Sequence, residues 1–239
     1  MDNIKIHLIT FANKEPFEKS QKILDSTYKI ADITTHTMYR KKDIIDTKFY
    51  NKNLNIFTKY ETIGYGLYIW KPYLILKKLQ EISDGEYLYY QDSSRYDFTG
   101  FTSSVHPIIE YMESNLIDLI PGFQINEINK NLIQPQCLEY MGYSDNKKFL
   151  SHRHYHTSPM FIKKTSKTLK FISKWLKYSQ KPDCIIKKTP YHQCDQAILN
   201  ILLWKYGYKG IYVDIEKLES KSYSKFIDLF HENKEITLS

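Results

Sequence analysis

A helix followed by a strand that ends in a carboxylate is the sequence feature that most constrains the fold of this chain. Residues 71–82 place a proline in the first turn and apolar side chains at helical spacing. An Asp84-Gly85 turn and an apolar strand over residues 86–91 follow, and the strand stops at Asp92. Open α/β sheets build ligand sites at the carboxyl ends of their strands. Segment 64–95 therefore predicts an α/β fold with a ligand site near Asp92.

The rest of the chain continues the alternation of strands and helices. We find no internal repeat, linker or domain boundary, and therefore predict one domain over residues 1–239. Its sheet should be mostly parallel and Rossmann-like, with helices on both faces. The predicted strands are 4–11, 33–39, 86–91, 116–120, 158–162 and 211–213. The predicted helices are one that begins near residue 16, then 71–82, 103–115, 166–178 and 195–206, with weaker helical character over 41–60 and after 214.

Charge and composition exclude several classes of function. The 239-residue chain has a net charge of +7, which favours anionic partners. Its lysines are spread along the chain without an aromatic–basic signature, so we expect no nucleic-acid partner. No stretch approaches the ~20 apolar residues of a membrane span, and we expect no transmembrane segment. The three cysteines have no C-x-x-C spacing, which predicts a reducing compartment and a soluble, cytoplasmic protein.

Asp92 is the first candidate for a functional side chain. A buried strand that ends in an aspartate places a carboxylate at the rim of the sheet, where it can hold a divalent ion or a ribose hydroxyl. Mg²⁺ and Mn²⁺ prefer such oxygen ligands, together with phosphate oxygens of a substrate. Asp92-Ser93 is equally compatible with an ordinary turn after the strand.

The segment before the helix provides a second candidate. Gly64 allows close backbone approach, and Lys71 lies at the start of the helix, where N–H groups and a lysine suit a pyrophosphate. Tyr65, Tyr68 and Trp70 could stack on a base or a sugar. The alternative is a packed aromatic turn with Lys71 in solvent.

Asp195 precedes an apolar helix and allows two interpretations. As an N-cap residue, it would accept hydrogen bonds from the first N–H groups of the helix. As a functional residue, it would act as a general base toward an acceptor hydroxyl, or bind the acceptor.

A set of histidines provides weaker candidates. His152, His154 and His156 would point to one side of an extended segment, and with Cys194 they could bind zinc, although the spacing matches no common zinc pattern. A histidine or Arg153 could instead contact a diphosphate, because a fixed cation stabilises the charge on a leaving nucleotide. A polar loop is the third possibility.

Several of these motifs occur in the same order in a group of glycosyltransferases from bacteria and large viruses. The chain resembles that group over about residues 61–207. The matching elements are Gly64-Tyr65-Gly66, Ile69-Trp70-Lys71-Pro72-Tyr73, Asp84-Gly85, Asp92-Ser93, Met141-Gly142, Asp145, Phe161-Ile162-Lys163-Lys164-Thr165, Phe171-Ile172, Trp175-Leu176 and His192-Gln193-Cys194-Asp195-Gln196.

The resemblance implies a GT-A-like fold that transfers a sugar from a nucleotide-diphosphate sugar, with UDP favoured, to a glycan or another hydroxyl acceptor. It implies catalytic roles for Asp92 and Asp195 and a Mn²⁺ or Mg²⁺ ion at Asp92. Its implied donor-binding residues are Gly64, Tyr65, Trp70, Lys71, Asp92, Ser93 and Ser94, and its residues for the diphosphate or the acceptor are His154, His156, His192 and Gln196.

Two positions depart from the pattern of that group. Ser94 stands where a complete Asp-x-Asp donor motif has its second carboxylate, and Gln193 follows His192 where the group has a basic residue. A non-catalytic relative that binds a nucleotide sugar or a glycan is therefore the alternative. A nucleic-acid-binding protein would rest on net charge alone, and a phosphohydrolase with Asp92 as nucleophile would also need a second acid two residues on.

Overall fold

The computed structural model describes residues 4–93 and 100–208, and seven strands lie within these ranges. The strands are β1 (Ile6–Phe11), β2 (Thr35–Tyr39), β3 (Tyr87–Tyr90), β4 (Leu119–Ile120), β5 (Phe123–Ile128), β6 (Arg153–His156) and β7 (Met160–Lys163).

Twelve α-helices lie within the same ranges, together with a short 3₁₀ turn at Lys41–Asp43. The first six are α1 (Phe17–Thr27), α2 (Lys48–Lys52), α3 (Leu54–Lys59), α4 (Gly64–Leu67), α5 (Trp70–Glu81) and α6 (His106–Ser114). The others are α7 (Asn129–Leu132), α8 (Pro135–Met141), α9 (Lys147–Ser151), α10 (Ser166–Ser179), α11 (Pro182–Ile185) and α12 (Cys194–Tyr206). None of these described helices has the length and apolar character needed to cross a membrane.

Five strands form the central sheet, in the order β2-β1-β3-β7-β4. β1 pairs in parallel with β2 and with β3, whereas β7 pairs antiparallel with β3 and with β4. Four strands therefore run in one direction and β7 runs in the other. The prediction of a mixed α/β domain with a mostly parallel sheet is confirmed, and the reversed strand is the feature that the sequence did not predict.

Both faces of the central sheet are covered, because alternate residues of its strands enter two separate hydrophobic cores. Leu8 and Tyr89 face one core, which is closed by α1 and α6. Ile9 and Leu88 face the other core, to which α5, α10 and α12 contribute. The near-continuous apolar sequence of β1 and β3 follows from this burial on both sides.

The bounds of the predicted elements agree within a few residues for most of the chain. The predicted helix 71–82 is α5, and the predicted strand 86–91 is β3. Helix 103–115 begins three residues later than expected, as α6. The predicted strand 211–213 and the helix after 214 lie outside the described residues.

A second, two-stranded sheet of β5 and β6 lies beside the main sheet and was not predicted. Gly122 stands directly before β5 with a φ of +121°, a backbone conformation that L side chains rarely adopt. A Cβ atom at this position would lie 1.8 Å from the carbonyl oxygen of His156, so only glycine lets the two strands approach each other here.

We expect Gly122→Ala to lower the free energy of unfolding by at least about 2 kcal/mol, because the new methyl group meets backbone rather than a mobile side chain. The matched control is Gly142→Ala, which has a φ of +78° but no atom within 4 Å of the added Cβ. Urea unfolding of both variants measures the difference. Equal losses in the two variants would contradict a steric role for Gly122.

Candidate functional site

A cavity of about 890 Å³ opens at the carboxyl ends of β1 and β3. Residues 13–17, which connect β1 to α1, form one wall, and the Gly64–Leu67 turn with Tyr68 and Trp70 forms another. Asp92 and Ser93 line the cavity just after β3. The predicted location of the ligand site, at the carboxyl end of the strand before Asp92, thus coincides with a large cavity.

The segment α4, with Tyr68 after it, is a left-handed turn rather than a regular α-helix, because five consecutive residues have a positive φ: Gly64 (57°), Tyr65 (48°), Gly66 (81°), Leu67 (59°) and Tyr68 (62°). Hydrogen bonds hold this left-handed turn: Gly66 N–H donates to the Tyr60 carbonyl (2.9 Å), and the Trp70 indole N–H donates to the Gly64 carbonyl (2.8 Å). Strained backbone of this kind is concentrated at functional sites.

Gly64 lines the cavity and also permits the aromatic packing of this turn. A Cβ atom on Gly64 would lie 2.3 Å from the Tyr68 ring, so the ring can lie across the turn because the side chain is absent. Ring packing therefore requires a glycine at this position, and the predicted approach of a ligand to Gly64 stays a prediction.

Tyr65 and Trp70 line the cavity but stack within the protein. Their exposures are 3% and 5%, and both rings pack on Phe11, with ring centroids 6.0 Å and 4.0 Å away. Tyr65 also packs on Phe57. Tyr68 is 38% exposed, so among these three predicted aromatics it is the one with a ring surface open to a ligand.

Lys71 joins the two predicted catalytic carboxylates. Its Nζ lies 3.2 Å from Asp92 Oδ1 and 3.8 Å from Asp195 Oδ2. The Lys71 side chain is 5% exposed, the Asp195 side chain 4% and the Asp92 side chain 29%. Asp92 therefore faces the cavity, while Lys71 and Asp195 lie behind it. This arrangement contradicts the alternative of a solvated Lys71 and does not place its ammonium in the cavity wall.

The carboxylate of Asp92 is held from several directions. Tyr90 O–H donates a short hydrogen bond to Oδ1, and Lys71 Nζ also donates to Oδ2 at 3.4 Å. The backbone N–H of Asp92 donates to Ser158 Oγ at 2.9 Å. These contacts fix the orientation of a partly exposed carboxylate, which is the condition for binding a ligand hydroxyl in a defined geometry.

Asp195 lies in the first turn of α12, one residue beyond its first residue, so the N-cap interpretation is wrong. Its Oδ2 has no hydrogen-bond partner among the described residues. The pKa of the Asp195 carboxyl is raised to about 7, chiefly by burial and also by Asp92, while Lys71 and the backbone N–H groups of Gln196 and Asp195 oppose the rise. The two carboxylates raise the pKa of the Lys71 ammonium in spite of its burial. A strongly shifted carboxyl beside a cavity is typical of functional sites.

Ser93 is a buried side chain that lines the cavity, and its hydroxyl has no hydrogen-bond partner among the described residues. Buried hydroxyls normally have a partner, so this one is available to a ligand. Ser94, the other serine of the predicted donor site, lies outside the described residues.

The four predicted histidines lie in different hydrogen-bonding environments, although His156 and His192 both act electrostatically on His154. His156 lines the cavity, where its Nδ1 donates to the Ser158 carbonyl, and burial lowers its pKa. His154 is buried between two amides, with ring nitrogens 2.8 Å from Asn129 Oδ1 and 3.2 Å from Asn200 Nδ2. Burial lowers the pKa of His154 to about 3, which keeps it neutral.

Two other predicted residues of this set also lie away from the cavity. His192 is buried. Its Nε2 donates a hydrogen bond to the Cys184 carbonyl, and its Nδ1 accepts one from the Gln134 N–H. Gln196 accepts long hydrogen bonds from Thr157 with its side-chain carbonyl oxygen. His192 and Gln196, like His154, are not among the residues that line the cavity. His152 lines a separate cavity of about 300 Å³ next to Trp204.

The donor atoms around Asp92 do not fit the predicted divalent ion. Mg²⁺ or Mn²⁺ needs several oxygen ligands at roughly 2.1 Å. Among the described residues, no three His, Cys, Asp or Glu side chains converge in a way that could hold a metal, and this includes the proposed zinc set. The carboxylates of Asp92 and Asp195 both face the Lys71 ammonium instead.

Several residues of the cavity were missed by the sequence analysis, namely residues 13–17, Glu61, Thr62 and Gln193. The rule that identified Asp92 applies equally to the segment after β1, because parallel neighbours end at the same edge of a sheet. That rule could have identified residues 13–17.

Comparison with known proteins adds no relative. No family model matches the chain, and no curated protein and no solved structure matches it either.

Proposed function

We propose that the chain is a glycosyltransferase with a GT-A-like fold. It transfers a sugar from a nucleotide-diphosphate sugar to a hydroxyl group of a glycan or another acceptor. The observation that carries the proposal is the cavity at the carboxyl ends of β1 and β3, with Asp92 fixed in its wall. Its volume of about 890 Å³ suits a ligand of this size. The sequence resemblance favours UDP as the nucleotide.

The lining offers the contacts that such a donor needs. Asp92 can accept hydrogen bonds from sugar or ribose hydroxyls, and the unpartnered hydroxyl of Ser93 can donate to a phosphate or a sugar oxygen. The Tyr68 ring can stack on the base or on the apolar face of the sugar. Asp92 is then the residue that touches the substrate, and Asp195 acts on it through Lys71.

The location of the reaction belongs to the same proposal. Cys137, Cys184 and Cys194 are buried, free thiols. Such thiols are compatible with a reducing compartment, and we place the protein in the cytoplasm.

A non-catalytic relative that binds a nucleotide sugar or a glycan is the second candidate. Two observations favour it: Ser94 replaces the second acid of the donor motif, and Lys71 neutralises Asp92. Such a protein would have the same cavity and bind the same donor, but transfer no sugar.

Calorimetry with uridine and guanosine diphosphates, with and without Mn²⁺, tests binding. A transfer and donor-hydrolysis assay with the corresponding sugar nucleotides tests the chemistry. Binding with turnover supports the transferase, and binding without turnover on any donor or acceptor supports the second candidate. Failure to bind any nucleotide would reject the transferase and the relative that binds a nucleotide sugar.

We expect Tyr68→Asn to weaken nucleotide binding about tenfold, because the loss of one stacked ring costs on the order of 1–2 kcal/mol. Asparagine tolerates the left-handed backbone at this position, so the turn is preserved. The control is Tyr140→Ala on α8, which removes a ring of similar exposure that does not line the cavity. Unchanged affinity in Tyr68→Asn, measured by the same calorimetry, would exclude stacking at this ring.

A further inference from the structure

Lys71 is an unusual lysine, because its ammonium is buried and surrounded by anionic and aromatic groups. Besides the two carboxylates, its Nζ lies 5.1 Å from the centre of the Tyr90 ring and 5.8 Å from that of the Tyr68 ring. Burying an ammonium costs several kcal/mol unless fixed partners compensate it. Here the partners come from separate elements: Asp92 from the end of β3 and Asp195 from the start of α12.

Stability of the helix does not explain this lysine. Lys71 lies in the first turn of α5, and a positive charge at a helix N-terminus is electrostatically unfavourable. Methionine or leucine at this position would continue the apolar face of α5 without a burial cost. The position therefore requires a charge.

The Lys71 ammonium lies between two carboxylates, in the position that a divalent ion would otherwise occupy. An ammonium covalently attached to α5 can form ion pairs with both carboxylates and keep Asp92 oriented toward the cavity. It also excludes a divalent cation from the same space, because two cations a few ångströms apart in a poorly solvated pocket repel each other by several kcal/mol.

We propose that Lys71 takes the place of a metal ion as the positioning residue of this site, so that an anionic nucleotide binds without a divalent cation. The identity of the nucleotide in this proposal rests on the proposed function, whereas the exclusion of a metal ion by Lys71 does not. It also revises the Mn²⁺ or Mg²⁺ cofactor that the sequence resemblance implies.

Mn²⁺ binding, followed by electron paramagnetic resonance without any nucleotide, tests the metal independently of function. We expect no stoichiometric Mn²⁺ site in the unmodified protein. Lys71→Met leaves two neighbouring carboxylates without a cation, and this variant should gain one Mn²⁺ site. Adding Asp92→Asn to it should remove that site. The control is Lys77→Met, which removes an exposed charge of α5 and should gain nothing.

UDP binding in EDTA and in Mn²⁺ tests the consequence for the ligand. The unmodified protein should bind equally well in both, within about twofold. Lys71→Met should bind at least about tenfold more weakly in EDTA, because the pocket loses its positive charge beside two carboxylates, and Mn²⁺ should restore the affinity. Lys71→Arg, which keeps the charge, should not need Mn²⁺.

Three outcomes would overturn the proposal. The first is stoichiometric Mn²⁺ binding by the unmodified protein that Asp92→Asn abolishes. The second is UDP binding by the unmodified protein that requires Mn²⁺. The third is a folded Lys71→Met variant that gains no Mn²⁺ site. If Lys71→Met does not fold, the first two measurements decide. A protein that binds no nucleotide rejects the proposed function, while the Mn²⁺ measurements still decide the role of Lys71.

Discussion

Asp92→Asn is expected to lower kcat/KM for sugar transfer by about a thousandfold, the usual range for removing a fixed polar group that contacts the reacting part of a substrate. The carboxylate is 29% exposed and oriented by Tyr90 and Lys71, so it presents acceptor oxygens to the cavity. Asparagine has almost the same shape but replaces one acceptor with a donor. It also removes half of the negative charge that compensates Lys71.

The matched control is Asp84→Asn. Asp84 is 87% exposed in the turn before β3, at the opposite end of the strand from Asp92. Circular dichroism and thermal unfolding check that both variants fold. Transfer in Asp92→Asn at a rate within tenfold of the unmodified protein would contradict a contact between Asp92 and the substrate. Loss of nucleotide binding in a folded variant would assign the residue to binding rather than to chemistry.

The central sheet could be predicted from sequence because local patterns determine most of it. The strands β1 and β3 read as apolar runs, and α5 and α10 show clear helical spacing. The two-stranded sheet of β5 and β6 could not be predicted in this way. Its strands carry several polar residues, and their pairing depends on Gly122 and on contacts between distant segments.

The convergence of Asp92, Lys71 and Asp195 also depends on distant segments, and it was predicted only through a resemblance. One local signal was present. Lys71 falls on the apolar stripe of α5 with Leu74 and Ile75, three and four residues on, and Asp195 holds the same relation to Ile198 and Leu199 in α12. A charge on each of two buried helix faces predicts a pair of opposite charges, since an unpaired buried charge is too costly.

Local patterns do not show how the aromatic and histidine side chains pack. Tyr65 and Trp70 were predicted to stack on a base or a sugar; they line the cavity, and their rings pack on Phe11. The resemblance assigned His154 to the diphosphate or the acceptor, but its ring nitrogens bond to the amides of Asn129 and Asn200. These partners come from segments far away in sequence, which the spacing of the histidines along β6 does not reveal.

Asp195→Asn should have an effect on stability that grows with pH. The pKa of the folded carboxyl is raised to about 7, whereas an unfolded aspartate titrates near 4. The folded protein therefore binds this proton more tightly, and the resulting stabilisation is complete below about pH 4 and lost as the pH rises through 7. Asparagine is neutral throughout. The stability of the variant relative to the unmodified protein should rise by on the order of 4 kcal/mol between about pH 4 and pH 8.

Four groups near Asp195 interact electrostatically with its carboxyl, namely Lys71, Asp92, Tyr68 and Cys194. A second variant separates the contribution of Lys71. Because Lys71 lowers the pKa of Asp195, Lys71→Met should move the pH dependence to higher pH, whereas Asp195→Asn should abolish this contribution. Urea unfolding at a series of pH values measures both effects, and a stability difference that is constant with pH would contradict the shifted pKa. Carboxylates with a strongly raised pKa cost stability at neutral pH and cluster at functional sites. A variant that gains stability above pH 7 and loses transfer would therefore assign Asp195 to function.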